Sequence, residues 1–251
     1  MRFEVLGLPV DALSADEISS CILHSVKTDA RITLAHINLH GLYCALRSAP
    51  MRALYQASET RVYIDGMPFV WLGKLFGHQV TRSHRNTSVD FLPPILKIFA
   101  AQKWPVAFVG SAPEHIASNQ EALRRLAPGL DVECFHGHFD MADHGPTSHQ
   151  ALILQRLAAV RPKLLLVGMG MPLQEAWIEQ IRASVDVPVI MPLGGFIDYF
   201  THRVAMPPRQ FGRWGLEGLW RLAHDPKRLA FRYCVEPVYI IRALLRRGRA
   251  T

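Results

Sequence analysis

Residues 164–183, LLLVGMGMPLQEAWIEQIRA, contain in one short stretch the pattern that decides the fold. The stretch begins with an uncharged apolar run, Leu164–Val167, which is typical of a buried β-strand. A turn containing Gly168 and Gly170 follows, and apolar residues then recur at helical spacing in Gln174–Ala183. A strand, a tight turn and a helix in this order predict one βα unit of a parallel sheet.

The same alternation recurs on both sides of this stretch. The other candidate strands are Phe3–Leu8, Ile32–Ile37, Val62–Ile64, Val106–Val109 and Val187–Met191. The other candidate helices are Ala12–Lys27, Asn38–Ala57, Pro113–Leu126 and Ser148–Val160. Ser14 and Glu17 have the spacing of a capping box, and Ala142–Ser148 reads as a loop. We therefore predict an α/β fold with a mainly parallel, Rossmann-like sheet or sheets flanked by helices.

Length and composition exclude several classes of protein. The chain has 251 residues, of which 49% are hydrophobic and 20% charged, as in a globular protein that buries a full core. No uncharged run reaches the roughly 18–20 residues of a membrane-spanning helix. The N-terminus lacks the apolar core of a signal peptide, so we expect a cytoplasmic protein. The four cysteines are widely spaced and are expected to be reduced thiols.

The positive charge is concentrated in the last fifth of the chain. Residues 203–251 hold 11 Lys and Arg against three acids, whereas residues 1–202 carry a net charge of −1. We therefore predict an α/β body at residues 1–202 and a basic, helical appendage at residues 203–251. An excess of this kind indicates an anionic partner.

The end of the appendage has two helical faces. In Val235–Arg249, the apolar face holds Val238, Ile241 and Leu245, and the basic face holds Arg242, Arg246 and Arg249. This pattern is typical of a helix that lies on an anionic membrane surface. A helix docked on the body with its basic side in solvent fits equally well. Nucleic acid is not expected as a partner, because no recognisable nucleic-acid-binding module accompanies the basic residues.

Two polar residues follow predicted strands, at the positions where sites gather in parallel sheets. Asp65 ends an apolar strand and precedes Gly66, which permits a tight turn. On spacing alone, an ordinary Asp-Gly turn explains this pair better than a catalytic acid. Asn38 follows another strand, and a helix N-cap would explain it without any role in binding.

Two glycine-containing junctions resemble anion-binding turns. Gly110 follows one strand, and Gly168 and Gly170 follow another, each leading into a helix whose free N–H groups could face a phosphate. Neither completes a dinucleotide-binding or Walker pattern, and a tight βα turn would also explain them. Gln174 and Glu175 lie close to the helix start, from where a side-chain amide can point toward the same crevice.

The histidines do not establish a metal site. The spacing of His136, His138 and His144 suits a ligand set, but exposed imidazoles in a turn would look the same, and we expect no metal. The chain also lacks the Asp-x-Asp pair with which many nucleotide-sugar transferases hold a divalent ion. If the protein cleaves a sugar nucleotide, arginines must neutralise the leaving group.

Residues spread from Ile32 to Tyr233 resemble one family in the same order. They include Asn38, Asp65-Gly66, Val109-Gly110, Pro128-Gly129-Leu130, His136-Gly137-His138-Phe139, residues 168–178, Gly194-Gly195-Phe196-Ile197-Asp198, Gly215-Leu216-Glu217, Arg221-Leu222, Asp225-Pro226, Arg228 and Arg232-Tyr233. This set resembles the WecG/TagA/CpsF bacterial glycosyltransferases.

The resemblance implies a reaction. It is an inverting, metal-independent transfer, without a cofactor, from a UDP-sugar to an undecaprenyl-diphosphate-linked saccharide at the inner face of the cell membrane. The sugar would be a hexose, N-acetylmannosamine or its uronic acid, and the product an exopolysaccharide or cell-surface polysaccharide. The partners expected are the UDP-sugar donor, the lipid-linked acceptor and an anionic membrane surface. The alternative is a catalytically silent nucleotide- or phospholipid-binding protein of the same fold, and a homo-oligomer stays open.

The resemblance also implies roles for individual residues. Asp65 is the expected general base, Asn38 and Gln174 position a substrate, and the C-terminal arginines close over a diphosphate. The candidate substrate-binding residues are His36, Asn38, Arg85, Gly110, Gly168, Gly170, Gln174, Glu175, Arg221, Arg228 and Arg232.

The chain departs from the family pattern at several positions. His36 replaces the usual threonine, Ser88 replaces a common glycine, and Met206-Pro207-Pro208 and Gly218 are atypical. These departures leave the donor, the acceptor and the role of His36 open.

Overall fold

The structure is a computed structural model that describes residues 1–208, 211, 215 and 217–247, without the side chains of Arg228 and Arg247. In this part of the chain, eight strands form one sheet in the order β1-β2-β4-β3-β8-β7-β5-β6. The strands are β1 (Arg2–Val5), β2 (Leu8–Asp11), β3 (Ile32–Ile37), β4 (Thr60–Ile64), β5 (Val106–Gly110), β6 (Val132–Phe135), β7 (Leu164–Gly168) and β8 (Val189–Pro192). Only β1 runs antiparallel to its neighbour among these eight. The predicted α/β fold with a mainly parallel sheet is confirmed.

Helices connect the strands and follow the last one. Those before β5 are α1 (Ala15–Thr28), α2 (Leu39–Arg47), α3 (Ala49–Gln56), α4 (Met67–Leu75) and α5 (Ser88–Gln102). Those from β5 onward, up to the short helix that follows β8, are α6 (Ile116–Leu126), α7 (His149–Val160), α8 (Leu173–Ile181) and α9 (Phe196–Phe200). The C-terminal helices are α10 (Glu217–His224), α11 (Pro226–Ala230) and α12 (Glu236–Arg247), and a π-helical turn (Phe231–Val235) joins the last two.

Local sequence signals explain some helix boundaries. The capping box is present at the start of α1, where Ser14 Oγ accepts from the Glu17 N–H and Glu17 Oε2 accepts from the Ser14 N–H. The single helix predicted for Asn38–Ala57 is wrong. Ser48 ends α2 and caps α3, and Pro50 lies in the first turn of α3, where its missing N–H costs nothing.

The predicted first strand, Phe3–Leu8, is also wrong. The chain turns at Leu6 and Gly7, which both have positive φ, so β1 and β2 form an antiparallel hairpin. The sequence prediction missed β6, α4, α5 and α9. Pro93 and Pro94 lie inside α5, and this helix is stabilised by tertiary packing of buried residues such as Phe91 and Leu96 rather than by its local sequence.

Helices cover both faces of the sheet, and the central strands are almost entirely buried. Burial on both faces explains why these strands read as continuous apolar runs. The carboxyl ends of β2 to β8 lie at one edge because these strands are parallel. The chain runs from β3 outward to β4 in one half of the sheet and from β5 outward to β6 in the other half. Because the direction reverses between the two halves, this edge contains a topological switch point.

The C-terminal helices return to this edge. α12 packs on α2 through the buried Ile240 and the partly buried Leu244. The buried Glu236 contacts Nδ1 of His40 at 2.9 Å and fixes the start of α12. Val238, Ile241 and Leu245 nevertheless remain exposed. The helix is therefore docked on the body and still presents an apolar strip.

Within the described ranges, no helix combines the length and apolar character needed to cross a membrane. The division into a body (residues 1–202) and an appendage (residues 203–251) stays a prediction. Leu216 and Arg249, named in the sequence analysis, lie outside the described residues.

Candidate active site

A cavity of about 600 Å³ lies at the carboxyl edge of the sheet. Its base is formed by residues at the ends of three neighbouring strands, which are His36 and Asn38, Tyr63 and Asp65, and Leu193 and Gly194. Its other wall includes Tyr199, Arg203, Trp220, Arg221 and Arg232. We call it the strand-end cavity.

Asp65 lies half-buried in this cavity, immediately after β4. The N–H of Asp65 donates to the Ile37 carbonyl, so a backbone hydrogen bond between β3 and the end of β4 holds the backbone at Asp65 in place. Asn38 Nδ2 donates to Asp65 Oδ2 at 3.2 Å, while Asn38 Oδ1 accepts from the Gly41 N–H at the start of α2. Gly66, with a φ of 116°, then turns the chain away, a conformation that side chains rarely permit. Asn38 is therefore both a helix cap and a positioning group for Asp65.

His36 lies two residues before Asn38 and projects to the same side of the sheet. It pairs in register with Tyr63. Because side chains alternate along a strand, His36 and Asn38 on one strand and Tyr63 and Asp65 on the other all lie on the cavity side. The His36 Nδ1 lies 3.1 Å from the Pro192 carbonyl oxygen, which can only accept, so Nδ1 carries the hydrogen. Burial lowers the pKa of His36, although the Asp65 carboxylate opposes that shift. The neutral ring thus offers Nε2 as an acceptor.

A second cavity of about 400 Å³ lies between α4 and α10. Its lining is richer in apolar side chains, which include Met67, Phe69, Leu219 and Leu222. We call it the helix cavity. Five residues line both cavities, and these are Asn38, His40, Asp65, Arg221 and Arg232. The carboxylate of Asp65 is therefore accessible from both sides.

Three arginines converge where the cavities meet. Arg85 lines the helix cavity, and its Nη2 forms a 2.7 Å ion pair with Oε1 of Glu217. Arg221 Nε is also buried without a hydrogen-bond partner among the described residues. Burial acts to lower the pKa of Arg221, yet the pKa is raised because Tyr199, Asp65, Tyr233 and Glu217 surround the guanidinium. The site therefore holds, in Arg221, a buried charged donor whose hydrogen-bonding capacity is not fully used by the described residues.

The other C-terminal candidates are placed as follows. Arg232 lines both cavities. Arg228 belongs to α11, but its side chain lies outside the described part of the structure. Arg85 is brought to the site because the segment that contains it pairs with the end of β4, where the Asn86 N–H donates to the Ile64 carbonyl.

Gln174 and Glu175 are completely buried and line neither cavity. Gln174 Oε1 accepts from the N–H groups of Gly170 and Gly194, and Nε2 donates to Glu175 Oε1. This amide joins the loops after β7 and β8. Burial raises the pKa of Glu175 to about 7.

The three candidate glycines differ in position. Gly170, with a φ of 83°, lines the strand-end cavity. Gly110 and Gly168 line neither cavity and lie opposite each other on β5 and β7. A Cβ on Gly110 would lie 2.4 Å from the Gly168 carbonyl oxygen, so glycine is required there for backbone packing.

Sequence reasoning missed Tyr63, Tyr199 and Arg203. Tyr63 could have been found from strand alternation, because it precedes Asp65 by two residues. Arg203 is held by Asp198, Asn119, Ser111 and Ser118, contacts between distant segments that leave no local signal. Its guanidinium is largely satisfied, unlike that of Arg221.

The three histidines considered above as metal ligands, His136, His138 and His144, line neither cavity. His136 stacks on His149 with ring centroids 3.6 Å apart, and burial lowers the pKa of His136. Across the described ranges, no group of three or more metal-ligating side chains is arranged to hold an ion.

Comparison with known proteins assigns the chain to a family. The model of the glycosyl transferase WecG/TagA/CpsF family matches residues 3–251. A Bacillus spizizenii protein named N-acetylglucosaminyldiphosphoundecaprenol N-acetyl-beta-D-mannosaminyltransferase is 30% identical over 74% of this chain and 68% of its own length. Staphylococcus aureus proteins of the same name are 26% identical over 59% of this chain, and the match spans only 55% of their length. The chain belongs to the WecG/TagA/CpsF glycosyl transferase family.

Proposed function

We propose that this protein is an inverting glycosyltransferase that moves a sugar from a UDP-sugar to an undecaprenyl-diphosphate-linked saccharide. The proposal places it in bacterial exopolysaccharide or cell-surface polysaccharide synthesis, at the inner face of the cell membrane. Family membership and the names of the relatives support the reaction class. The observation that carries it is Asp65, a carboxylate held by Asn38 where two cavities meet.

Asp65 acts as the general base in this proposal. The acceptor hydroxyl oxygen attacks the anomeric carbon of the donor, and its proton passes to the Asp65 carboxylate. The bond between the anomeric carbon and the diphosphate oxygen breaks, and its electron pair leaves with UDP. Because attack and departure occur on opposite faces of the sugar, the configuration inverts.

The arginines stabilise the leaving diphosphate. Arg221 and Arg232 line both cavities, and Arg85 reaches the same junction from the segment after α4. Guanidinium groups donate paired hydrogen bonds to phosphate oxygens, and charged donors in a partly buried site stabilise developing negative charge strongly. The buried Nε of Arg221, which has no hydrogen-bond partner among the described residues, is free for such a ligand. We propose that these cations take the place of a divalent ion.

The two cavities suit different substrates. The strand-end cavity lies at the switch point, where α/β proteins bind nucleotides, and its polar lining suits a UDP-sugar. The helix cavity has apolar walls from α4 and α10 and suits the lipid-proximal part of the acceptor. Asp65 between them would meet the acceptor hydroxyl beside the anomeric carbon.

UDP release measures the proposed reaction directly. A panel of UDP-sugars is incubated with a synthetic lipid-diphosphate saccharide in the presence of EDTA. We expect acceptor-dependent UDP release from one donor, and a loss of about 100-fold or more in Asp65→Asn, which keeps the shape of the side chain but cannot take the proton. Asp140→Asn, at an exposed carboxylate outside both cavities, is the matched control and should behave as wild type.

Wild-type transfer by folded Asp65→Asn would reject the role of Asp65. UDP binding without transfer from any donor, over a series of lipid-linked acceptors, would instead support the catalytically silent binding protein. Loss of transfer in EDTA that Mg²⁺ restores would reject the metal-independent mechanism.

A further inference from the structure

The outer face of α4 carries an unusual group of exposed apolar side chains. Trp71 is 52% exposed, Leu75 77% and Phe76, just after the helix, 45%. Residues four apart form one stripe on a helix, so Met67, Trp71 and Leu75 are aligned. Met67 is buried and lines the helix cavity. The stripe therefore leads from the wall of that cavity out to the surface.

α10 extends the same apolar surface. Gly215, just before this helix, packs against the stripe, because a Cβ there would lie 3.1 Å from Met67 Cβ and 3.2 Å from Trp71 Cη2. Leu219 lines the helix cavity and is 62% exposed. Exposed apolar side chains from two helices thus flank the opening of one cavity.

The charged side chains of the segment that carries this face are all positive. Residues 66–89 contain Lys74, Arg82 and Arg85 and no Asp or Glu. Arg85 is paired with Glu217, but the exposed Lys74 and Arg82 make no ion pair within the described part of the chain. Lys74 lies on α4 between Trp71 and Leu75. The body therefore has its own cationic and apolar surface, separate from α12.

We propose that the α4 face, formed by Trp71, Lys74, Leu75 and Phe76, docks on an anionic lipid bilayer. Tryptophan and leucine enter the interfacial region of a bilayer, and a lysine beside them is attracted by anionic headgroups. In this orientation the helix cavity opens toward the lipid. The route of the acceptor rests on the function proposed above, but the docking itself requires neither donor nor acceptor.

A second copy of the chain fits this face less well. Pairing two α4 faces would bring Lys74 and Arg82 of one copy against the same cations of the other. The segment has no acidic residue to compensate for that repulsion. An anionic bilayer matches both the apolar side chains and the charge.

Vesicle co-sedimentation of the full chain tests the proposal. The vesicles contain phosphatidylglycerol and phosphatidylcholine in equal parts, or phosphatidylcholine alone. We expect Leu75→Ser/Phe76→Ser to lower the partition coefficient on anionic vesicles about tenfold, since each side chain loses apolar area buried in the bilayer. Lys74→Glu should lower binding to anionic vesicles more than to neutral ones. Leu152→Ser, at a similarly exposed leucine on α7, is the matched control.

A second readout does not depend on these substitutions. Brominated phospholipids should quench the fluorescence of wild type more than that of Trp71→Phe, because only Trp71 among the described tryptophans lies on this face. Unquenched Trp71, or unchanged partitioning of a folded Leu75→Ser/Phe76→Ser, would overturn the proposal. A shift from oligomer to monomer with unchanged vesicle binding would also overturn it, in favour of a second copy. Failed sugar transfer with intact vesicle binding would reject the enzymatic proposal and leave this surface standing.

Discussion

At the scale of single residues, His36 is the departure from the family pattern that lies closest to the proposed chemistry. Its Nδ1 is committed to the Pro192 carbonyl, so only Nε2 is available to a ligand in the strand-end cavity. Asparagine can reproduce the Nδ1 donor, and glutamine can place an oxygen near the position of Nε2. These two substitutions therefore test the contributions of the two ring nitrogens separately.

If Nε2 accepts from a substrate hydroxyl, His36→Asn should lower kcat/KM about tenfold, the cost of one lost hydrogen bond in a buried site. His36→Gln should lose less. Steady-state kinetics with the donor identified from the UDP-sugar panel measures both effects. Equal losses in both variants, or none in either, would contradict the assignment.

The raised pKa of Glu175 leads us to predict that the free energy of unfolding depends on pH. Its folded-state pKa of about 7 lies above the ordinary value of 4.5, because burial penalises the charged carboxylate. Between these two values the folded state binds more protons than the unfolded state, so the free energy of unfolding falls as pH rises. The loss levels off above about pH 7 and is on the order of 3 kcal/mol, since one pKa unit corresponds to about 1.4 kcal/mol.

Glu175→Gln removes this titration while keeping an oxygen that can accept from Gln174. Urea denaturation of both proteins at pH 5 and pH 8.5 measures the effect. We expect the free energy of unfolding to fall more for the wild type than for Glu175→Gln between these pH values. A pH-independent difference in stability between the two proteins does not affect this comparison. Parallel pH profiles would show that the carboxyl group does not titrate in this range.

At the scale of elements, α12 has apolar residues that pack on the body next to apolar residues that are exposed. Ile240 is buried against the body, whereas Val238 and Ile241 are exposed. We expect Ile240→Ser to lower the melting temperature, because burying a hydroxyl in place of an apolar side chain costs about 2–4 kcal/mol. We expect Val238→Ser/Ile241→Ser to leave the melting temperature nearly unchanged and to weaken binding to anionic vesicles. Thermal melts and vesicle co-sedimentation measure the two effects. An unchanged melting temperature for Ile240→Ser, or a lowered one for Val238→Ser/Ile241→Ser, would contradict this prediction.

The elements also show which sequence signals suffice. Strands buried on both faces are continuous apolar runs, so most of the sheet could be predicted. α5 could not, because Pro93 and Pro94 oppose its local propensity and its stability comes from contacts with distant core residues. β6 has only four residues, and α4 begins at a Gly-Met-Pro sequence that reads as a turn.

At the scale of the whole molecule, the sequence indicated the edge of the sheet where the strand-end cavity lies, but not the full lining of that cavity. Asn38 and Asp65 could be predicted because each directly follows a strand of a parallel sheet. Gln174 also lies near a strand end, but in the first turn of α8 it is buried and joins two loops. Tyr199, Arg203 and the contact between His40 and Glu236 depend on how the chain beyond the sheet returns to this edge, which local patterns do not encode.

The residues shared by the two cavities have a thermodynamic consequence. Arg221 and Arg232 face both cavities, so two anionic ligands bound together must divide the same positive charge. Occupancy of one cavity then changes the dissociation constant of the other, and linkage requires the factor to be identical in both directions. To the extent that UDP weakens the binding of a lipid diphosphate, an arriving lipid diphosphate weakens the binding of UDP. Product departure and reloading would thereby be coupled through these guanidinium groups, without any movement of the fold.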